Sequence, residues 1–203
     1  MVWNKLADDA TVDSVAKALE KRGMEVYVVD SGAEAKKKFF ELIPDGAEVL
    51  ESSSTTLNTI GVTKELEQDG KYDSVKRKLH SINNPEERNN VRRRSLGAAY
   101  GVGSVQAVTE DGRLVTASAS GSQIATYAFS TQNVVLVVGT QKIVKNLDEA
   151  FKRIYEHALP LESKRVNETY GWTEGSYVGK LLVLERDRPG RTKVILVKEK
   201  LGF

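Results

Sequence analysis

The spacing of hydrophobic positions changes several times along the chain, and each change marks an element. Val12, Val15, Ala16 and Leu19 recur at helical spacing. Thr11 stands where a cap belongs, and Lys21, Arg22 and Gly23 suit a helix end. Met24 to Asp30 (MEVYVVD) is a continuous apolar run, expected as a buried strand. A second helix from about Ala33 turns Ala35, Phe39, Leu42 and Ile43 inward and stops at Pro44. Ala47 to Leu50 then reads as a short strand. This β-α-β opening predicts a parallel sheet with a right-handed crossover.

The middle is more polar, with helices expected over Val62 to Asp69, Ser74 to His80 and Pro85 to about Ala99. Ser104 to Thr109 and Leu114 to Ser118 flank Glu110-Asp111-Gly112-Arg113, and an Asp-Gly between apolar runs predicts a hairpin. Gly121 and Ser122 precede a helix expected to about Phe129, and a buried strand Asn133 to Val138 follows. Asn146 with Glu149 three residues on marks a helix start, and Leu147, Ala150, Phe151, Ile154 and Ala158 supply its apolar face. Lys180 to Glu185 and Lys193 to Val197 read as final strands joined around Pro189-Gly190. The alternation predicts an α/β fold, a three-layer α/β/α arrangement with a mostly parallel sheet. With no internal repeat or linker, residues 1–203 read as one domain.

Composition changes this picture mainly by exclusion. The 30 basic and 28 acidic residues leave a formal charge of +2, which gives no argument for a nucleic acid partner. There is no cysteine, which excludes disulfides, thiolate metal sites and cysteine nucleophiles and fits a reducing, cytoplasmic setting. No apolar run approaches the roughly 18 residues that span a bilayer. His80 and His157 lack metal-ligand spacing, so neither a metal nor another cofactor is expected.

In open α/β sheets, ligands bind beyond the carboxyl ends of the parallel strands. Three loops are expected there. The first is Glu51 to Asn58, with Ser52, Ser53, Ser54, Thr55, Thr56 and Asn58. The second is Ser118 to Gln123, with Ser120, Gly121, Ser122 and Gln123. The third contains Gly139, Thr140 and Lys142. Small hydroxyl residues before helices hold carboxylate or phosphate through free N–H groups, and Lys142 adds positive charge. Taken singly, each has an ordinary role: Ser and Thr cap helices, Gly121 allows a turn, and a lone lysine is solvated. Glu110 reads as an exposed turn residue, and Arg88 and Arg92 to Arg94 as a solvated helix face. Trp172 and Tyr177 read as covering a core edge.

Several segments together resemble one family. Ser52 to Gly61 (SSSTTLNTIG) looks like the Ser/Thr-turn motif of the LUD-domain (lactate utilisation protein C-like) family. Val137 to Ala150 (VVGTQKIVKNLDEA), Pro160 to Arg165 (PLESKR) and Val194 to Phe203 (VILVKEKLGF) are similar to further family segments. The resemblance implies a fold like that of glucosamine-6-phosphate deaminase, ribose-5-phosphate isomerase and the CoA transferases. In those relatives a small-residue turn holds substrate phosphate or lies beside a CoA thioester, a role that falls here to Ser52 through Thr56. A Glu in a comparable region is covalent in CoA transferases, and Glu110 is the nearest candidate. The family also implies lactate oxidation alongside iron–sulfur proteins. Many relatives carry a Cys-rich stretch where this chain has Asn167 to Trp172 without Cys, so it holds no cluster itself. Three readings remain open: an accessory protein that binds a small anionic metabolite; an enzyme on a sugar phosphate or CoA thioester using Glu110; and a partner-contacting subunit using Arg88 to Arg94 or Tyr170 to Tyr177.

Overall fold

A computed structural model describes residues 3–68 and 70–203; Asp69, the expected end of one helix, lies outside them. The first half runs α1 (Asp9–Lys21), β1 (Glu25–Val29), α2 (Gly32–Glu41), β2 (Glu48–Glu51), α3 (Thr55–Thr59), α4 (Val62–Gln68), β3 (Asp73–Ser74), α5 (Val75–His80) and α6 (Pro85–Arg94). It continues with β4 (Tyr100–Gly103), β5 (Ala107–Thr109), β6 (Leu114–Ser118), α7 (Ser122–Ala125) and β7 (Asn133–Gly139). The last part comprises β8 (Ile143–Val144), α8 (Leu147–Arg153), α9 (Leu159–Tyr170), β9 (Lys180–Leu184) and β10 (Thr192–Val197).

One sheet has the order β1-β10-β7-β4-β2-β3, and every neighbouring pair in it is parallel. Helices cover both of its faces, giving the three-layer α/β/α arrangement. Alternation along the central strands shows why. Val134, Leu136 and Val138 of β7 join Val194 and Leu196 of β10 against Val12, Val15 and Leu19 of α1. The residues between them, Val135, Val137, Ile195 and Val197, face Ala35 and Phe39 of α2 and Leu57 of α3. A smaller sheet, β8-β5-β6-β9, packs beside α1 through Val108, Leu114 and Leu184. Its other face is closed by Ala150 and Ile154 of α8 and beyond.

Several expectations need correction. Asp8, not Thr11, caps α1: its carboxylate accepts from the Thr11 N–H at 2.8 Å, so Thr11 is already inside the helix. β1 is an edge strand with Val28 half-exposed, since only β10 flanks it. The helix expected to reach Ala99 ends at Arg94, and Tyr100–Gly103 is a strand. The helix begun after Asn146, whose expected apolar face included Ala158, passes through a wide π turn at Ile154–Ala158 into α9. That turn accommodates Pro160, which lacks the N–H of a regular helix. β9 and β10, the two final strands joined around Pro189-Gly190, belong to different sheets. Trp172 and Tyr177 are 60% and 65% exposed, so they cover no core.

The amino end of β10 is anchored by a buried ion pair. Arg191 Nη1 meets Asp187 at 2.7 Å and also donates to Tyr127 O, while Nη2 and Nε donate to the carbonyls of Thr126 and Thr131. Arg191→Met leaves Asp187 uncompensated and those carbonyls unpaired. We expect a loss of about 3–5 kcal/mol of stability in urea melts; a loss within experimental error of zero would contradict this role.

Candidate functional site

Four central strands, β10, β7, β4 and β2, are neighbours in the parallel sheet. The segments leaving their carboxyl ends therefore meet. β2 continues as Ser52, whose N–H donates to Val102 O at 2.9 Å. Past Gly103, β4 leads to Ser104; past Gly139, β7 enters a 3-10 turn over Thr140–Lys142. β10 runs on to Leu201 and Gly202.

Lys142 lies at the meeting point and is only 2% exposed, which corrects the expectation of a solvated lysine. It follows a fully buried central strand, so its turn starts inside the molecule. Its Nζ donates to Thr56 Oγ1 at 3.0 Å and to Ser104 Oγ at 3.1 Å. Among the described residues no carboxylate lies within ion-pair distance of it. Burial, aided by the positive charge of Arg153, pushes its pKa down to about 7.

The segment after β10 closes over this centre. Leu201 O accepts from Gln141 Nε2 at 2.9 Å and from Thr56 Oγ1 at 3.3 Å. Gly202 has φ +61°, and a Cβ there would lie 2.5 Å from Thr56 Oγ1. Only glycine lets this backbone pass.

The Ser/Thr turn divides its labour. Ser54 Oγ caps α3 by accepting from the Leu57 N–H at 3.2 Å. Thr56 points inward to Lys142, while Ser53 and Asn58 are exposed and Thr55 is half-buried. Ser52 hydrogen bonds with the buried Tyr127 hydroxyl, which burial pushes up to about 12.

The loop at Ser118 to Gln123 leaves β6 of the smaller sheet, not a strand of the parallel one, and only Gln123 reaches the centre. Its Nε2 donates to Ser104 O at 3.2 Å and lies 3.4 Å from Tyr127 Oη. Ser120 is exposed, Gly121 makes a left-handed turn at φ +88°, and Ser122 Oγ accepts from Arg92 at 2.8 Å. Gly139 and Thr140 are buried in the turn that carries Lys142.

Glu110 is not brought to this cluster. It is exposed, and its N–H donates to Val144 O at 2.8 Å. The adjacent Asp111 pairs with Arg22 at 3.3 Å, just before β1 begins. The hairpin tip thus lies towards the amino ends of the parallel strands, opposite the Ser/Thr turn. An acid that the sequence reading missed does border the turn. Glu51 is buried, and its Oε1 accepts from Thr63 Oγ1 at 2.6 Å and pairs with Lys76 at 3.4 Å. Burial outweighs Lys76 and raises its pKa.

Two further groups were also missed. Arg153 is 0% exposed; its Nη1 donates to Gln106 O, but Nε and Nη2 have no partner among the described residues. Burial lowers its pKa to about 10, which leaves it charged at neutral pH. His157 Nε2 is likewise buried without a partner. Burial, then the charges of Arg153, Lys200 and Lys142, hold the imidazole below its ordinary pKa. The signal was spacing: Arg153 and His157 fall three and seven residues after Ala150, within the inward stripe of their helix. Among the described residues no group of acids and histidines is arranged to hold a metal, and no helix is long and apolar enough to cross a membrane.

Fold and site define a three-layer α/β protein with a buried, cation-rich centre at the carboxyl ends of its parallel strands. The family model described as LUD domain matches residues 12–197, and the chain belongs to that family. Among solved structures, it resembles a DUF162 family protein from Deinococcus radiodurans with a TM-score of 0.58 at 12% identity. That alignment covers 95% of this chain and 99% of the other, and it shows the fold alone. The likeness to eIF2B beta from Chaetomium thermophilum has a TM-score of 0.29 at 15% identity, over 66% of this chain and 43% of the other. It carries no argument. The search of curated proteins gave no match.

The Lys142 centre makes stability depend on pH. Its amine binds a proton less readily in the folded state, at about 7, than at the ordinary 10.5. Between these values the unfolded chain holds more protons, so this contribution rises with pH and is lost as pH falls towards 7. We expect Lys142→Met to remove a slope of up to about 1.4 kcal/mol per pH unit over that window. Parallel wild-type and variant curves in urea melts from pH 7 to 10 would refute it.

Proposed function

We propose that this LUD-domain chain binds a small anionic metabolite, a carboxylate or phosphate, and serves organic-acid metabolism of the lactate-utilisation type as a non-redox accessory protein. The observation that carries the reading is Lys142, wholly buried among hydroxyls with no carboxylate partner among the described residues. Arg153 adds two unpartnered donors, and His157 an unpartnered ring nitrogen. Buried cations of this kind are usually paired, and an excess of them favours an anion from outside the chain. Thr56, Ser104 and Gln123 supply neutral hydrogen-bonding groups around it. The non-redox part rests on ligand chemistry, because a chain without cysteine lacks the thiolates that hold iron–sulfur clusters.

Calorimetric titration with L-lactate, pyruvate, inorganic phosphate and ribose 5-phosphate tests this. At least one should bind with a dissociation constant of about a millimolar or tighter, and Lys142→Met should weaken it about tenfold or more. Failure of all four to bind, or undiminished binding to the variant, would overturn the reading.

A further inference from the structure

We infer that Lys142 is an amine nucleophile that captures a small 2-oxo acid as an imine, with Arg153 holding the acid's carboxylate. The inference rests on the anion-binding reading and deepens it by naming a ligand class and a covalent step.

The first support is the state of the amine. Lys142 Nζ is held by two neutral hydroxyls, Thr56 Oγ1 and Ser104 Oγ, and the charge acting on it, that of Arg153, is positive. An amine removed from water, with no carboxylate to stabilise its ammonium form, loses its proton readily and exposes a lone pair. Consistently, its pKa falls to about 7. For charge attraction alone, an ammonium that keeps its proton would serve better. The environment suits a nucleophile.

The second support is independent. Arg153 is wholly buried, yet two of its three guanidinium nitrogens have no partner among the described residues. A buried guanidinium with free donors is costly unless something occupies them, and its planar fork matches a carboxylate. Lys142 and Arg153 also dock close together along the chain, the first on Ser104 and the second on the Gln106 carbonyl. Two residues of chain span at most about 7 Å. An amine and a guanidinium at that scale fit a molecule whose carbonyl carbon adjoins its carboxylate.

The chemistry balances without an external reagent. The Nζ lone pair forms a bond to the carbonyl carbon, and the carbonyl π pair moves to oxygen, which takes up a proton. Thr56 and Ser104, both on Nζ, are placed to relay that proton. The carbinolamine then loses its hydroxyl as water and a proton from nitrogen, leaving the imine. Amine and ketone have become imine and water, and nothing is oxidised or reduced. The Leu201–Gly202 backbone, whose carbonyl engages Thr56 and Gln141, must shift for the acid to reach Nζ.

The test is reductive trapping. The full chain is incubated with pyruvate or 2-oxobutyrate and sodium cyanoborohydride, followed by intact mass measurement and peptide mapping. The expected result is one adduct, mapped to Lys142 in the wild-type protein and absent from Lys142→Met. Arg153→Met should raise the half-saturating acid concentration about tenfold or more, and pyruvamide, which lacks the carboxylate, should trap about tenfold less well. Mapping on the wild-type chain locates the adduct even where a variant fails to fold. No adduct, or adducts spread over surface lysines and unchanged in Lys142→Met, overturns the inference. L-lactate has no ketone carbonyl and separates the two readings. If it binds in a Lys142-dependent way while no oxo acid is trapped, anion binding stands and the imine falls. If neither binds, and phosphate and ribose 5-phosphate also fail, both fall.

Discussion

The burial of one amine between two hydroxyls constrains the rest of this structure. A nitrogen taken out of water must find acceptors, and Lys142 finds them on Thr56 and Ser104, which follow two other strands. The contact therefore requires β2, β4 and β7 to end level with one another. The register does this: Glu51 pairs with Val102, Gly103 with Leu136, and Gly139 with Val197 of β10. A one-residue slip of β4 would turn Val102 towards Tyr127 and carry Ser104 out of reach. Sheet register and site geometry are one constraint.

Two glycines make that register possible from the side facing Tyr127. Thr126 and Thr131 crowd the space where a Cβ on Gly101 would lie, and the Tyr127 hydroxyl crowds that of Gly103. The helix carrying Tyr127 thereby approaches the backbone of β4 itself, and the tyrosine hydroxyl lies 3.3 Å from Ser104 O. Arg191 holds the same turn from below through the carbonyls of Thr126, Tyr127 and Thr131. The cost of weak strand residues in β4 is offset by this close approach.

These features explain what was legible in the sequence. α1 and α2 could be read because helix-period stripes such as Val12, Val15 and Leu19 leave little alternative, and β7 because its run of valines suits a strand buried on both faces. β4 was missed because Tyr-Gly-Val-Gly carries two residues that weaken strands, and its reason for being a strand lies in Tyr127, far along the chain. That β9 and β10 part into different sheets is equally non-local, since an apolar run does not name its partner. The Ser/Thr turn was visible, but its inward residue, Thr56, could not be told from its neighbours. Lys142 was visible only as a member of a loop: nothing near it in sequence distinguishes a buried lysine from a solvated one. Arg153 and His157 did leave a trace, as polar residues on the inward stripe of α8 and its continuation.

The charges sort themselves in a way that bears on function. Glu51 is buried close to the same turn, yet it is committed elsewhere, to Thr63 of α4 and Lys76 of α5. It does not neutralise Lys142. Arg153 lowers the proton affinity of Lys142, and burial with the charges of Arg153, Lys200 and Lys142 lowers that of His157. Had the fold needed only stability there, apolar residues of similar volume would have served at least as well. A fold that places Glu51 directly before Ser52 but satisfies it through Thr63 and Lys76 keeps acid and cations apart. Among the described residues this separation leaves Lys142 and Arg153 without a carboxylate of their own.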